Sequence, residues 1–277
     1  MTIAQFVALA LQEDVKTGDH SALSCIPAEA KSAAKLLIKD QGVLAGVEVA
    51  KQIFWEINPE LNIDVQITDG TNVGYGEVAF YVSGSVHSIL IAERLVLNVM
   101  QRMSGIATVT QKMVQRLAGL PTQVLDTRKT TPLLRFLEKK AVTIGGGTNH
   151  RFGLYDMIML KDNHIDYAGG IEKAILAANS YIKTNNLDLK IEVETRNLSE
   201  VEQVLSCGGV QRIMLDNFDI PTLTQAVRLI NNRVETEASG GITLDTIRSY
   251  AETGVNFISV GALTHSIKNM DLSLKAV

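Results

Sequence analysis

Cysteine is almost missing from this chain: Cys25 and Cys207 are the only two in 277 residues. Two cysteines build neither a disulfide framework nor a thiolate metal site. Their scarcity fits a reducing compartment, and cytoplasmic residence is the expectation. Long apolar runs are missing as well, since none reaches the roughly 20 residues of a membrane span. The N-terminal MTIAQFVALALQEDV has no basic leader, and Gln12, Glu13 and Asp14 interrupt its apolar positions. It reads as an amphipathic helix, not a signal peptide. Nor is there a surplus of positive charge. The formal net charge is -4 and the sequence pI about 5.8, which argues against coating nucleic acid. The GxGxxG turn that opens dinucleotide-binding sheets is absent, and neither His150 nor His164 has a metal-site partner at zinc spacing.

What is present is an ordinary globular composition, 46% hydrophobic and 20% charged. At this length it makes one large α/β domain or two smaller ones. After the first helix, VKTGDHSALS reads as a turn-rich loop. AKLLIKDQ and GVLAG read as strands, VEVAKQIFWEI as a helix. DVQITDG and EVAFYVSGSV alternate apolar and polar residues, as half-buried antiparallel strands do. A helical region follows from about 88 to 120, with a break expected near Ser104 and Gly105, and Pro121 ends it.

Beyond Pro121 the pattern changes. TQVLD, AVTIG, MIMLK, KIEVE, RIMLD, TEASG and NFISVG are short apolar runs, each ending in a polar residue or glycine. The last four ends, Glu194, Asp216, Ser239 and Gly261, fall 22, 23 and 22 residues apart. That spacing is one strand plus one crossover helix. Repeated units of this kind predict a parallel sheet closing towards a barrel. Seven strands give an open seven-stranded β/α barrel, with a doubly wound open sheet as the alternative. The expected division is an N-terminal α+β sandwich domain with connecting helices over 1–110 and the barrel over 111–277. The C-terminal tail is expected to pack back on the first domain.

In such a barrel the C-terminal strand ends share one mouth. The first ends bring Arg128 and Lys129, then Gly145 to Gly147 with His150 and Arg151, then Lys161. The later ends bring Glu194, Asp216, Ser239-Gly240-Gly241 and Gly261-Ala262. Any single lysine or arginine is more often a solvated surface charge, but here three flank apolar strand ends aimed at one place. Arginine suits a bidentate grip on carboxylate. Lys139 and Lys140, on the helix LLRFLEKKA, are expected to be solvated. The two glycine turns suit phosphate, because glycine lets an anion approach backbone N–H groups at a helix start. The helix after Ser239 to Gly241 is expected from about Thr243. Glu194 and Asp216 could act as an acid/base pair, hold Mg²⁺, accept sugar hydroxyls, or pair with a lysine of the same mouth.

These residues sit in longer motifs: QEDVKTGDHS, AERLVLNVMQRMSGIAT, DTRKTTPLLR, GGGTNHRFGLYD, MLKDNHI, LDNF at 215–218, SGGI at 239–242 and ETGVNFISVGALTHS. In that order, over nearly the whole chain, they resemble the quinolinate phosphoribosyltransferases, the decarboxylating nicotinate-nucleotide pyrophosphorylases of NAD biosynthesis. The resemblance implies an N-terminal sandwich followed by a seven-stranded open barrel. It implies a quinolinate pocket at Arg128, Lys129, His150, Arg151 and Lys161. It implies ribose and Mg²⁺-pyrophosphate contacts at Glu194 and Asp216, the candidate metal residues, and phosphate loops at Ser239 to Gly241 and Gly261 to His265, with Ala262 between. Lys129, Lys161, Glu194 and Asp216 are the implied catalytic residues. Arg94 is expected to reach in from the neighbouring subunit of a homodimer or higher homo-oligomer. Mg²⁺ is the expected cofactor, with no nucleic-acid or membrane partner. One departure is Leu133, where many members of that family have glycine after TTP. Two rivals remain: a non-catalytic anion-binding protein on the same scaffold, and a phosphoribosyltransferase for another pyridine acid.

Overall fold

The computed structural model describes residues 1–277. In chain order its elements are α1 (Ile3–Asp14), α2 (His20–Cys25), β1 (Lys31–Ile38), β2 (Gly42–Val43), α3 (Val47–Ile57), β3 (Asn62–Val65), β4 (Asn72–Val73), β5 (Val78–Ser85) and α4 (Val86–Arg116). Then come β6 (Gln123–Leu125), α5 (Arg135–Ile144), β7 (Ile158–Leu160), α6 (Asp162–Ala168), α7 (Ile171–Asn185), β8 (Ile191–Thr195), α8 (Leu198–Cys207), β9 (Arg212–Asp216) and α9 (Ile220–Ile230). The last are β10 (Glu235–Ser239), α10 (Ile247–Ala251), β11 (Phe257–Ser259), α11 (Ala262–His265) and β12 (Leu272–Ala276).

The first unit comprises residues 1–111, 130–146 and 266–277. Its main sheet is antiparallel in the order β12-β1-β5-β3. Along β1 burial alternates, with Ala34, Leu36 and Ile38 inward, the signature of a sheet with one packed face. Leu36 pairs with Phe80 on one side and Leu274 on the other. Phe54 of α3 meets Phe80 edge to face at 6.0 Å. Gly46 offers α3 no capping side chain, and the Asp69 carboxylate supplies the cap by accepting from Val47 N–H at 2.8 Å.

Four local expectations change here. VKTGDHSALS is not all loop: Asp19 accepts from the N–H groups of Ser21 and Ala22 and starts α2. The helix α4 runs unbroken through Ser104 and Gly105. The Ser104 hydroxyl accepts from Ala45 N–H, and a Cβ on Gly105 would stand 2.4 Å from the Lys268 carbonyl. This Ser-Gly pair admits close neighbours and does not break the helix. AVTIG is the end of helix α5, where Leu137, Ala141 and Val142 are buried at helical spacing. An apolar run of that length fits either element, and length alone does not arbitrate. Lys139 is 1% exposed, so it is interior and not solvated, whereas Lys140 is exposed.

The second unit comprises residues 112–129 and 147–265. Its six strands are parallel, in the order β6-β11-β10-β9-β8-β7. Every residue of β8 is buried, as parallel strands covered on both faces require. Asn197 and Asp219 cap the crossover helices α8 and α9 by accepting from Glu200 N–H and Thr222 N–H. With AVTIG helical, a single parallel bridge, Leu125 to Thr148, stands where a seventh strand was expected. No ladder joins β6 to β7, so the barrel is open. The register aligns Ser239 with Asp216 and Ser259 with Leu125, which brings these strand ends to one level.

Candidate active site

A cavity of about 820 Å³ lies at the C-terminal ends of the barrel strands. Arg128 and Lys129 follow β6, and Arg151 stands in the loop before β7. Lys161 follows β7 and forms the first wall with them. Glu194 on β8, Asp216 on β9 and Ser239 to Gly241 after β10 form the facing part. Gly261, Ala262 and His265 complete it after β11. Met159, Met214, Ile242 and Val260 give it apolar patches, of the kind a flat ring can lie against. Arg94 is not part of this lining; it is exposed on α4, in the first unit.

The cationic wall is crowded. Burial and then the charge of Arg128 press the Arg151 guanidinium below its ordinary pKa. Arg151 spends one N–H on the Met157 carbonyl at 3.2 Å. The Arg128 Nε is buried without a hydrogen-bond partner, an unmet donor of the kind an anionic ligand satisfies. The Lys161 ammonium lies 2.9 Å from Glu194, linking the cationic wall to the carboxylates. His164 supports the start of α6, its Nδ1 accepting from Lys161 N–H at 3.0 Å.

On the other wall, the Asp216 carboxylate accepts from the Asn217 side-chain amide at 2.6 Å. Asn217 adopts φ +56 and donates its N–H to Ser239 O at 2.8 Å. Gly240, at φ +104, leaves room for it: a Cβ there would sit 2.2 Å from Asn217 Oδ1. Asp216 and the glycine turn are thus locked through one asparagine. No helix starts at Thr243. Residues 243–246 form a turn and α10 begins at Ile247, so the affinity of this loop for phosphate rests on close backbone approach and not on a helix dipole. At the second loop α11 is a single turn.

Glu192, Glu237 and Arg212, none of them expected, form a buried layer at the floor of the cavity, with Glu237 part of its lining. His150 Nε2 lies 3.0 Å from Glu192 and 3.2 Å from Glu237. Arg212 lies 3.2 Å from Glu237 and 3.9 Å from Glu192, and stacks 4.1 Å from the Phe257 ring centre. Burial would lower the His150 pKa, but the two carboxylates more than offset it and raise it to about 9. A doubly protonated ring, however, would set an Nδ1 proton against the Arg151 N–H, which lies 2.6 Å from Nδ1 as its donor. When the imidazole is neutral, that contact places its proton on Nε2. Burial first, and then the Glu237 charge, push Glu192 up to about 7. At Glu237 burial also pushes upward, but His150, Ser259 and Arg212 pull harder and the net shift is down. The signal for this layer was in the sequence: KIEVE and TEASG carry a charge two residues before each chosen end, inside strands that should be apolar.

The fold and the cavity define a class: a barrel enzyme that handles small anions between a cationic wall and a carboxylate wall. Residues 106–275 match the model described as quinolinate phosphoribosyl transferase, C-terminal domain, and residues 19–104 match its N-terminal domain. Quinolinate phosphoribosyltransferase (decarboxylating) 1b of Nicotiana tabacum is 48% identical, over 97% of this chain and 81% of the relative. A probable nicotinate-nucleotide pyrophosphorylase (carboxylating) of Bacillus subtilis is 40% identical, over 95% of this chain and 89% of the relative. The crystal structure of NadC from Streptococcus pyogenes superposes with a TM-score of 0.93 at 39% identity, over 99% of this chain and 97% of that one. The chain belongs to the quinolinate phosphoribosyltransferase family.

Proposed function

We propose that this cavity is where the chain carries out its family's reaction: quinolinate and 5-phosphoribosyl-1-pyrophosphate give nicotinate mononucleotide, pyrophosphate and CO₂. The observation that carries the assignment is the division of one cavity into a cationic wall and a wall of two carboxylates with two glycine turns. Quinolinate is a pyridine with two adjacent carboxylates, and it needs several fixed donors. Arg128, Lys129, Arg151 and Lys161 supply them, and hold the ring nitrogen at C1 of the sugar. Positioning of this kind is a large share of catalysis by two-substrate enzymes. The nitrogen attacks C1 as pyrophosphate departs. Positive charge develops at C1, where the negative charge of Glu194 and Asp216 stabilises it. The 2-carboxylate then leaves as CO₂, its electron pair stabilised by the adjacent alkylated nitrogen, and the ring carbon takes up a proton. No side chain is required as a base.

The phosphates lie against Ser239 to Gly241 and Gly261 to His265. Glu194 and Asp216 are hard oxygen donors on neighbouring strands, and Mg²⁺ takes few carboxylates together with substrate phosphates. The residues therefore fit that ion, which when bound with the diphosphate would offset the charge of the leaving group. Arg94 joins the site from a second copy of the chain in a homodimer. Cytoplasmic residence belongs to the same reading, supported by two cysteines that are both unpaired. The test is to incubate the protein with quinolinate, 5-phosphoribosyl-1-pyrophosphate and Mg²⁺ and to follow CO₂ and nicotinate mononucleotide together. Release of one without the other, or of neither, contradicts the assignment.

A further inference from the structure

The buried layer at the floor of the cavity has no part in the reaction as derived. Both edges of the His150 ring face protein groups: Nε2 lies 3.0 Å from Glu192 and 3.2 Å from Glu237, and Nδ1 accepts from the Arg151 N–H at 2.6 Å. Only 4% of that side chain is exposed. The ring also lines the cavity, so where it stands bears on what the cavity can hold. Its role is to be held and to hold. The two carboxylates that hold it stand on β8 and β10, with β9 between them. Both side chains are fully buried, in a parallel-strand interior that is ordinarily apolar. Burying carboxylates is costly even when they are paired, so a mere filler would be aliphatic. The same three side chains could in principle ligate a cation. The Arg212 guanidinium 3.2 Å from Glu237 already supplies the counter-charge.

We propose that Glu192 and Glu237 are positioning residues for quinolinate: they clamp the His150 ring from two strands, and the ring's far nitrogen fixes the backbone of Arg151 at the cationic wall. The inference rests on the reading that this wall takes quinolinate. Arg151 is then aimed, through His150, by two buried carboxylates.

The experiment measures KM for quinolinate and for 5-phosphoribosyl-1-pyrophosphate separately. The variants are Glu237→Ala, Glu237→Gln, His150→Ala, the double variant Glu237→Ala/His150→Ala, and Arg151→Ala. Glu237→Ala is expected to raise the quinolinate KM about tenfold, as misplacement of a substrate-holding group does, with the other KM little changed. Glu237→Gln keeps an acceptor oxygen and is expected to recover most of the loss. Added to His150→Ala, Glu237→Ala should cost little more, because both act through one contact. An unchanged quinolinate KM in Glu237→Ala overturns the proposal. So does an equal rise in both KM values, or full additivity in the double variant. Should Glu237→Ala not fold, Glu192→Ala and Glu237→Leu, which fills the space without an acceptor oxygen, are held to the same split between the two KM values. Arg151→Ala separates this proposal from the reading beneath it. If Arg151→Ala raises the quinolinate KM and Glu237→Ala does not, only the clamp fails. If Arg151→Ala leaves it unchanged, the wall assignment fails and the clamp with it.

Discussion

Leu133 shows how one residue can mark its own strain. It sits at φ +66 and is 72% exposed. An L-residue pays for that left-handed conformation, and a glycine would not. The resemblance in the sequence flagged the position as one where glycine is usual, and the backbone gives the reason. Leu133→Gly is expected to raise stability by about 0.5–1 kcal/mol, the relief of strain less the added freedom of the unfolded chain. Denaturant unfolding at equilibrium checks it, and a fall in stability would contradict it. At the same scale, the strand-end residues that line the cavity were legible because each ends an apolar run. Glu192 and Glu237 were marked only by a charge inside an apolar run, which does not by itself separate a buried carboxylate from one on a solvated face. Lys139 was misread for the converse reason: a lysine on a helix is normally solvated, and its burial is set by tertiary packing.

At the scale of elements, the turn after β10 is the most constrained piece of the site. Gly240, Asn217 and Asp216 fit together with no room for a side chain on Gly240. Gly240→Ala is therefore expected to raise the KM for 5-phosphoribosyl-1-pyrophosphate about tenfold or more, through strain at a left-handed position and displacement of Asn217. The quinolinate KM should move less. Steady-state kinetics with each substrate varied in turn decides it, and equal KM shifts would show that the turn does not serve the phosphate side alone. Element boundaries were legible where periodicity ran long, as in α1, α3 and the evenly spaced strand ends. They were not where a run was short. AVTIG could be strand or helix, and the start of α10 was set by a turn over residues 243–246 that its sequence did not announce.

At the scale of the molecule, the barrel's repeats are local, so sequence spacing exposed them. The first unit is assembled from three separate stretches, 1–111, 130–146 and 266–277, and long-range assembly leaves no periodic trace. β12 illustrates this, since it pairs with β1 from more than 230 residues away in the chain. Arg94 belongs to this unit and is not among the cavity's lining residues, and the proposed homodimer brings it to the site from a second copy of the chain. Mixing inactive Arg94→Ala and Lys161→Ala subunits should then restore part of the activity. Demonstrated heterodimers without recovery would count against a shared site.

The proposed function divides the cavity into a cationic wall for quinolinate and a facing wall for the sugar phosphate. It is tested most directly by calorimetric titration of quinolinate, and separately of 5-phosphoribosyl-1-pyrophosphate with Mg²⁺, into the wild type, Lys161→Ala and Arg151→Ala. Loss of one charged donor should weaken quinolinate binding about 10- to 100-fold, with phosphoribosyl binding nearly unchanged. Wild-type quinolinate affinity in both variants would contradict the account.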